Sequence, residues 1–597
     1  MSSLPRWSLD SIYRGFDSDE YREDMQRIAA SCRALHARIE EEPEAGAGKA
    51  VWLAGVLEAY NSIIATFETL EAYAYARFST DTRDEESVRG LAEVEEAGLP
   101  VRALAVTLKN RLAETVGERG LQEVLAADPG LGKYAYILNE MLEQQRHLMS
   151  PAEEALADDL GRSGGDAWEK LHEAISSTAT AEWDSGTGER KSVTELRSLA
   201  FSADRSVRQR AFEKELEVWK QHETALAFAL NGVKGTSITL NKRRSYSDSL
   251  EKSIAQSRIT PAALDALITT MERSLPVFHT YLEQKAEALG LERLAFFDLF
   301  APIRSNARVW TFEEARDFIV SAFTAFHPPM GTFAEEAFEA RWIDALPREG
   351  KVGGAYCTGF PLRKESRVLC NFDGSLSSVS TVAHELGHAY HGHILRNEPA
   401  LLADYPMTLA ETASIFAETV IYNTALREAA PADRLVILES LLQDATQVIV
   451  DILSRFYFER ELFARRERGD LMPADLCAAM TDAQRKAYGK GLDPDYLHPY
   501  MWAVKGHYYR PGLAFYNFPY AFGQLFGLGL YARYRQMGAD FSSIYDALLL
   551  STGSESAVDV TAEAGFDIEQ CDFWQQGIDC IADYVDDFAA TLQQVSR

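Results

Sequence analysis

Several things are scarce in this chain. Cysteine is one: there are six, at positions 32, 357, 370, 477, 571 and 580, and no C-x-x-C pair. Scattered single cysteines point to free thiols in a reducing compartment rather than a disulfide framework. Positive charge is another: 60 Lys+Arg face 90 Asp+Glu, a formal net charge of −30. That balance argues against nucleic acid and anionic membrane as partners. No segment approaches the ~20 apolar residues of a membrane span. The opening Met-Ser-Ser-Leu-Pro-Arg-Trp has no basic region followed by an apolar run, so no signal peptide is expected. Together these absences place the chain in the cytoplasm. There is no internal repeat or low-complexity tract, and nothing speaks to oligomeric state.

What is present is a chain of 597 residues with 46% hydrophobic content, ordinary for a soluble globular protein and long enough to bury a large core. Helical periodicity and strong helix formers dominate. They predict helices over Leu53–Leu70, Glu85–Val116, Pro151–Leu160, Ser206–Gly232, Pro261–Leu289, Phe312–Phe326, Leu435–Arg468 and Ala474–Tyr488. Strand-like material is limited to two places. One is a hairpin, Ser177–Trp183 with Glu189–Val193, turning at Asp184–Gly188; the other is the region 351–374. The fold class expected is mainly α. A soft border near residue 195 divides an N-terminal helical region (1–195) from a catalytic helical region (196–597).

The chemistry starts at Ser380-Thr-Val-Ala-His384-Glu385-Leu-Gly-His388-Ala-Tyr-His391. Residues four apart share a helix face, so His384 and His388 can hold one Zn2+ between them. Glu385, beside the first ligand, can reach a metal-activated water as general base. The helix itself is well signalled, with capping candidates Ser377, Ser378 and Ser380 and an apolar stripe of Val379, Val382, Ala383, Leu386 and Ala389. By chance alone, H-E-x-x-H would occur in roughly one or two such chains per hundred. A third protein ligand is needed. The metzincin pattern fails, because positions 391 and 394 are His and Ile. Beyond Pro399 and Pro406, Thr408-Leu-Ala-Glu411-Thr-Ala-Ser-Ile-Phe-Ala-Glu418 reads as a new helix. Glu411, a carboxylate in an apolar helix, is the expected third ligand. Glu418, two turns along, could orient a ligand imidazole or simply face solvent. Should Glu411 fail, Glu418 or Asp404 comes next.

H-E-L-G-H-A-Y-H (384–391) followed by A-E-T-A-S-I-F-A-E (410–418) resembles the thimet oligopeptidase / oligoendopeptidase F family of zinc metallopeptidases. The bacterial oligoendopeptidase F branch is nearer. Pro5-Arg-Trp7-Ser-Leu9-Asp10-Ser-Ile-Tyr13, Gly353-Gly354-Ala355-Tyr356 and Asn371-Phe-Asp-Gly374 are similar to segments of that branch. The resemblance implies two helical lobes enclosing a deep channel, with a small β element beside the zinc helix. It also implies one Zn2+ per chain and short unstructured oligopeptides as substrates. It further implies a C-terminal His/Tyr cluster facing the zinc. Here that cluster would be His507-Tyr508-Tyr509 and Phe515-Tyr516-Asn-Phe-Pro-Tyr520-Ala-Phe-Gly523, with a longer spacing through Arg510-Pro511-Gly512.

On that resemblance His507, Tyr516 and then Tyr520 are expected to donate to an oxyanion, although the same aromatic run could be core. Gly353, Gly354, Tyr356 and Tyr509 are expected to bind substrate. An exposed strand edge would take the peptide by strand addition, with glycines permitting close approach; an ordinary hairpin with a Gly turn is the alternative. Two rival functions stay open. A zinc carboxypeptidase of related helical fold would need a basic group such as Lys505 or Arg510 for the terminal carboxylate. A non-catalytic helical metal-binding protein would need no base at Glu385.

Overall fold

A computed structural model describes residues 4–304 and 308–595; the first three residues of the stretch read for a leader lie outside these. The chain is 74% helical, as its periodicity predicts. It forms two compact units, each assembled from three stretches of sequence.

The first unit comprises Met1–His147, Arg308–Thr424 and Arg533–Phe566. Helices Asp19–Glu40, Ala47–Thr80 and Glu85–Thr115 pack on one another. Leu53, Val56, Leu57 and Tyr60, recurring at helical spacing, are all buried, so the apolar stripe supplies the contact face. By length and composition helix Ala47–Thr80 could cross a membrane, contrary to the expectation that no segment reaches that size. However, 61% of its most apolar window is buried inside the protein. It is apolar on more than one side because it packs on its neighbouring helices and also on strand Tyr356–Phe360.

That strand lies at the edge of a three-stranded sheet. It pairs antiparallel with Glu365–Leu369, which pairs in parallel with Ile343–Asp344. The strand starts at Tyr356 and not at Gly353, since Gly354 has φ +78° and leaves the extended region. Helix Leu376–Leu395 packs against both longer strands and against helix Phe541–Ser551. Its N-cap is Ser375, whose hydroxyl accepts from the Ser378 N–H at 3.1 Å, upstream of the serines singled out by sequence.

The second unit comprises Leu148–Ala307, Ala425–Ala532 and Asp567–Arg597. Long helices Arg205–Arg243, Pro261–Ala288 and Cys571–Val595 dominate it. The predicted hairpin is present as Thr180–Asp184 and Glu189–Ser192. The predicted single helix over Leu435–Arg468 is interrupted. Pro431–Thr446 and Ile452–Arg466 are joined by a π-helical turn, Gln447–Asp451. Asp451, at its end, accepts from the Tyr488 hydroxyl at 3.3 Å and pairs with Arg455. The border expected near 195 falls inside this unit, in helix Val193–Ser198.

One close approach in the first unit positions the site. A Cβ built on Gly387 would stand 2.6 Å from the Ala413 carbonyl oxygen and 2.8 Å from the Ser414 Cα. Those atoms are backbone of helix Met407–Glu428, and they cannot swing aside. Gly387→Ala should therefore cost about 1–3 kcal/mol of stability and lower metal affinity by displacing Glu411. Thermal unfolding and a chelator competition titration measure the two effects; an unchanged variant in both would contradict this packing.

Candidate active site

Four expected residues meet in the first unit. His384 and His388 lie one turn apart on helix Leu376–Leu395, their rings 4.9 Å apart. The neighbouring helix brings Glu411, whose Oε2 stands 3.4 Å from His384 Nε2 and 3.6 Å from His388 Nε2. One ligand atom from each of the three lies within 4.8 Å of the others. Tetrahedral ligation at Zn–N and Zn–O distances of about 2.0–2.1 Å requires ligand atoms about 3.3 Å apart, so this donor set fits a zinc-sized ion. Ser414 donates its hydroxyl to Glu411 Oε2 at 2.8 Å, which steadies the carboxylate. The three side chains are partly exposed, as ligands of a reachable ion must be, whereas Glu385 is buried.

Glu418 lies 3.1 Å from His384 Nδ1. The contact is within ion-pair reach but off the line of an N–H hydrogen bond, leaving that buried nitrogen without a well-aligned partner. Charge explains the titration of the metal-free cluster. Burial pulls the His384 imidazole down, but Glu418, Glu385 and Glu411 outweigh it and lift it to about 9. His388 goes the other way, to about 4, through burial and the neighbouring His384 charge. Two adjacent imidazoles share one proton, and His384 holds it. Burial raises Glu385 to about 7, against the opposing pull of His384 and with added repulsion from Glu411 and Glu418.

The cluster opens on a cavity of about 1190 Å³ in the first unit. Its wall includes the segment Ala355–Pro361, mostly edge strand, and residues of the N-terminal helices. Tyr356 lines it, with its hydroxyl 2.6 Å from the Ser79 hydroxyl. Gly353 and Gly354 lie just outside that lining, although the Gly354 carbonyl accepts from Asn371 at 3.0 Å. Sequence reading missed Glu68, Glu71 and Tyr405, all of which line the cavity. Glu68 is pushed up to about 7 by burial and by Asp404 and Glu71. Its one sequence signal is a carboxylate amid the buried residues Phe67, Thr69 and Leu70.

His507, Tyr516, Tyr520 and Tyr509 belong to the second unit. Arg455 donates to Asn517 Oδ1 at 2.9 Å, and Arg can only donate. Asn517 therefore turns its Nδ2 to His507 Nε2 at 2.8 Å, and His507 carries its proton on Nδ1. Burial and the cations Arg455, Lys234, Lys505 and Arg510 hold His507 far below its usual range, so it is a neutral imidazole that can donate only through Nδ1. The Tyr516 and Tyr520 hydroxyls are 2.6 Å apart. Tyr516 follows Phe515, which holds φ +52°, an outlier for a bulky residue. The Phe515 N–H donates to Glu459 Oε2 at 2.9 Å, and Lys234 pairs with the same buried carboxylate at 2.9 Å.

Tyr509 turns inward. It is fully buried and stacked on His172 at 3.9 Å, so the substrate contact expected of it does not follow from its position. Of the two candidate carboxylate anchors, one is ion-paired and the other has its pKa depressed. Arg510 donates to Glu169 at 3.1 Å. Lys505 is pushed down to about 7, chiefly by burial and by Arg455.

The family description Peptidase family M3 matches residues 198–580, and Oligopeptidase F matches residues 115–180. Oligopeptidase PepF of Bacillus subtilis (strain 168) is 24% identical over 604 residues, covering 99% of this chain and 88% of that protein. Group B oligopeptidase PepB of Streptococcus agalactiae is 26% identical over 467 residues, covering 77% and 76%. A crystal structure from Chlamydophila abortus superposes with TM-score 0.85 at 22% identity, covering 98% of each chain. Oligoendopeptidase-F from Enterococcus faecium gives TM-score 0.69 at 18% identity, covering 96% of this chain and 99% of that one. At such identities the structures share the fold, whereas the M3 match extends over more than half of the sequence. The chain belongs to peptidase family M3 and is a metallo-oligopeptidase of the oligoendopeptidase F kind.

Proposed function

We propose that the protein is a zinc endopeptidase that cuts short unstructured oligopeptides, with His384, His388 and Glu411 holding one Zn2+ and Glu385 acting as general base. The convergence of two imidazoles and one carboxylate beside a buried Glu, on the wall of one cavity, carries this reading. The ion would supply Lewis acidity, polarising the scissile carbonyl and easing the deprotonation of water. Glu385, with a pKa raised to about 7, takes a proton from water and returns it to the leaving nitrogen. Glu418 orients His384 through Nδ1. The free edge of strand Tyr356–Phe360 pairs with substrate backbone, which selects for extended chain over particular side chains. Gly353 and Gly354 bound that edge.

His507, Tyr516 and Tyr520 are proposed as oxyanion donors. Their support is the resemblance, together with the paired hydroxyls and the Nδ1–H tautomer of His507. The two family matches, 115–180 and 198–580, support a division into an N-terminal region 1–195 and a catalytic region 196–597. Six unpaired cysteines support a cytoplasmic location. Membership of a peptidase family stands against a non-catalytic metal protein, and the ion-paired Arg510 and the depressed pKa of Lys505 weigh against a carboxypeptidase.

Glu385→Gln should keep one zinc per chain and lower kcat by at least ~10²-fold, whereas Glu411→Ala should lose the metal. Metal analysis alongside peptide hydrolysis separates these outcomes, and full zinc retention by Glu411→Ala would reject the third ligand. Mass spectrometry of a cut nonapeptide should show internal cleavage; stepwise loss from the carboxyl terminus would favour the carboxypeptidase. Metal-free His384 keeps its proton up to about 9 and must release it to become a ligand. Zinc affinity should therefore rise with pH below that value, by roughly tenfold per unit for one displaced proton. A flat chelator competition profile would contradict the assignment.

A further inference from the structure

Tyr405 occupies the turn between helix Ala400–Ala403 and helix Met407–Glu428. Pro406 follows it, and a residue before proline is held extended. The Pro406 carbonyl accepts the N–H groups of Leu409 and Ala410 at 2.9 and 3.0 Å, so the helix that carries Glu411 starts from a fixed point beside this tyrosine. The ring of Tyr405 lies flat on His391, with centroids 4.1 Å apart and planes 11° from parallel. His391 is fully buried on the histidine helix, less than one turn past His388. It is anchored through Nε2, 2.8 Å from the Thr552 hydroxyl and 3.2 Å from the Leu549 carbonyl. Tyr405 thus bridges the helix of the two imidazoles and the head of the helix of Glu411.

Its hydroxyl is the unexplained part. The residue lines the same cavity as His384, His388, Glu385 and Glu411, and among the described residues its hydroxyl has no hydrogen-bond partner. Of the other two cavity phenols, Tyr75 and Tyr356, the latter is tied to Ser79 at 2.6 Å. A half-buried phenol raised in pKa by desolvation and by Cys357, Glu411 and Asp404 stays protonated, and a protonated phenol with no internal acceptor is free to donate to whatever fills the cavity.

We propose that Tyr405 is a catalytic residue of this site, donating its O–H to the carbonyl oxygen of the peptide being cut as that oxygen gains negative charge, while its ring clamps the two ligand-bearing helices together through His391. The proposal rests on the zinc endopeptidase reading and adds to it a donor from the same unit as the triad. The phenol bears no covalent part: it holds its proton throughout and only shortens its hydrogen bond as charge builds on the oxygen.

Tyr405→Phe keeps the ring on His391 and removes the donor. In the metal-loaded protein, kcat should fall at least tenfold with KM changed less than twofold, and melting temperature and metal content should match the parent. In a Glu385→Gln background, calorimetric titration with a phosphinic peptide, which mimics the tetrahedral species, should show affinity weakened at least tenfold by Tyr405→Phe. A carboxamide substrate peptide should bind as before. Tyr405→Leu, which also loses the stacking, should in addition weaken zinc binding. A Tyr405→Phe enzyme with kcat and phosphinate affinity both within twofold of the parent would overturn the donor role. If the parent protein itself cut no peptide, the endopeptidase reading would fall and this inference with it.

Discussion

Where helix Leu376–Leu395 passes helix Met407–Glu428, Gly387 leaves room for the backbone of Ala413 and Ser414, and the metal site depends on that gap. The periodicity of one helix places two imidazoles on one face. It cannot place a third donor at ligand distance. That requires a second backbone closer than a methyl group allows, and the H-E-L-G-H segment supplies the glycine between its two histidines. The sheet and helix Phe541–Ser551 support the histidine helix from other sides, and the cap at Ser375 fixes where it begins.

The charge at the site follows from this packing. Three carboxylates, Glu385, Glu411 and Glu418, stand around two imidazoles in partial or full burial. In low dielectric such a cluster is stable only with compensating positive charge. Without metal, one proton on His384 provides it. An ion with two positive charges would serve better and would displace that proton. Burial, with a smaller contribution from Glu411 and Glu418, raises the pKa of Glu385, which suits it to the proton-accepting role proposed for it.

Local features of the fold and site were legible in the sequence. Helices with a clear apolar stripe, the Asp184–Gly188 hairpin, and the His384–Glu385–His388 face all arise from short-range spacing. The proposal of Glu411 needed one further step, a carboxylate in an apolar helix. What stayed hidden depends on tertiary direction. Nothing in Tyr508-Tyr509 against Tyr516 tells which ring turns inward, and Tyr509 proves to be fully buried against His172. Tyr405 carries no sequence signal beyond its place before Pro406; its stacking on His391 links segments that sequence spacing does not connect. The π turn at Gln447–Asp451 interrupts a helix whose periodicity is continuous, and Asp451 at its end contacts Arg455 and Tyr488. The length of helix Ala47–Thr80 was underestimated because its apolar residues serve several neighbours at once.

The assignment of His384, His388 and Glu411 as the metal ligands is tested most directly by X-ray absorption at the zinc edge on protein loaded with one equivalent of metal. Two imidazoles with oxygen donors at about 2.0–2.1 Å, and no sulfur, are expected. A sulfur scatterer at about 2.3 Å, as from Cys357 or Cys370, or a shell with a single imidazole, would contradict it.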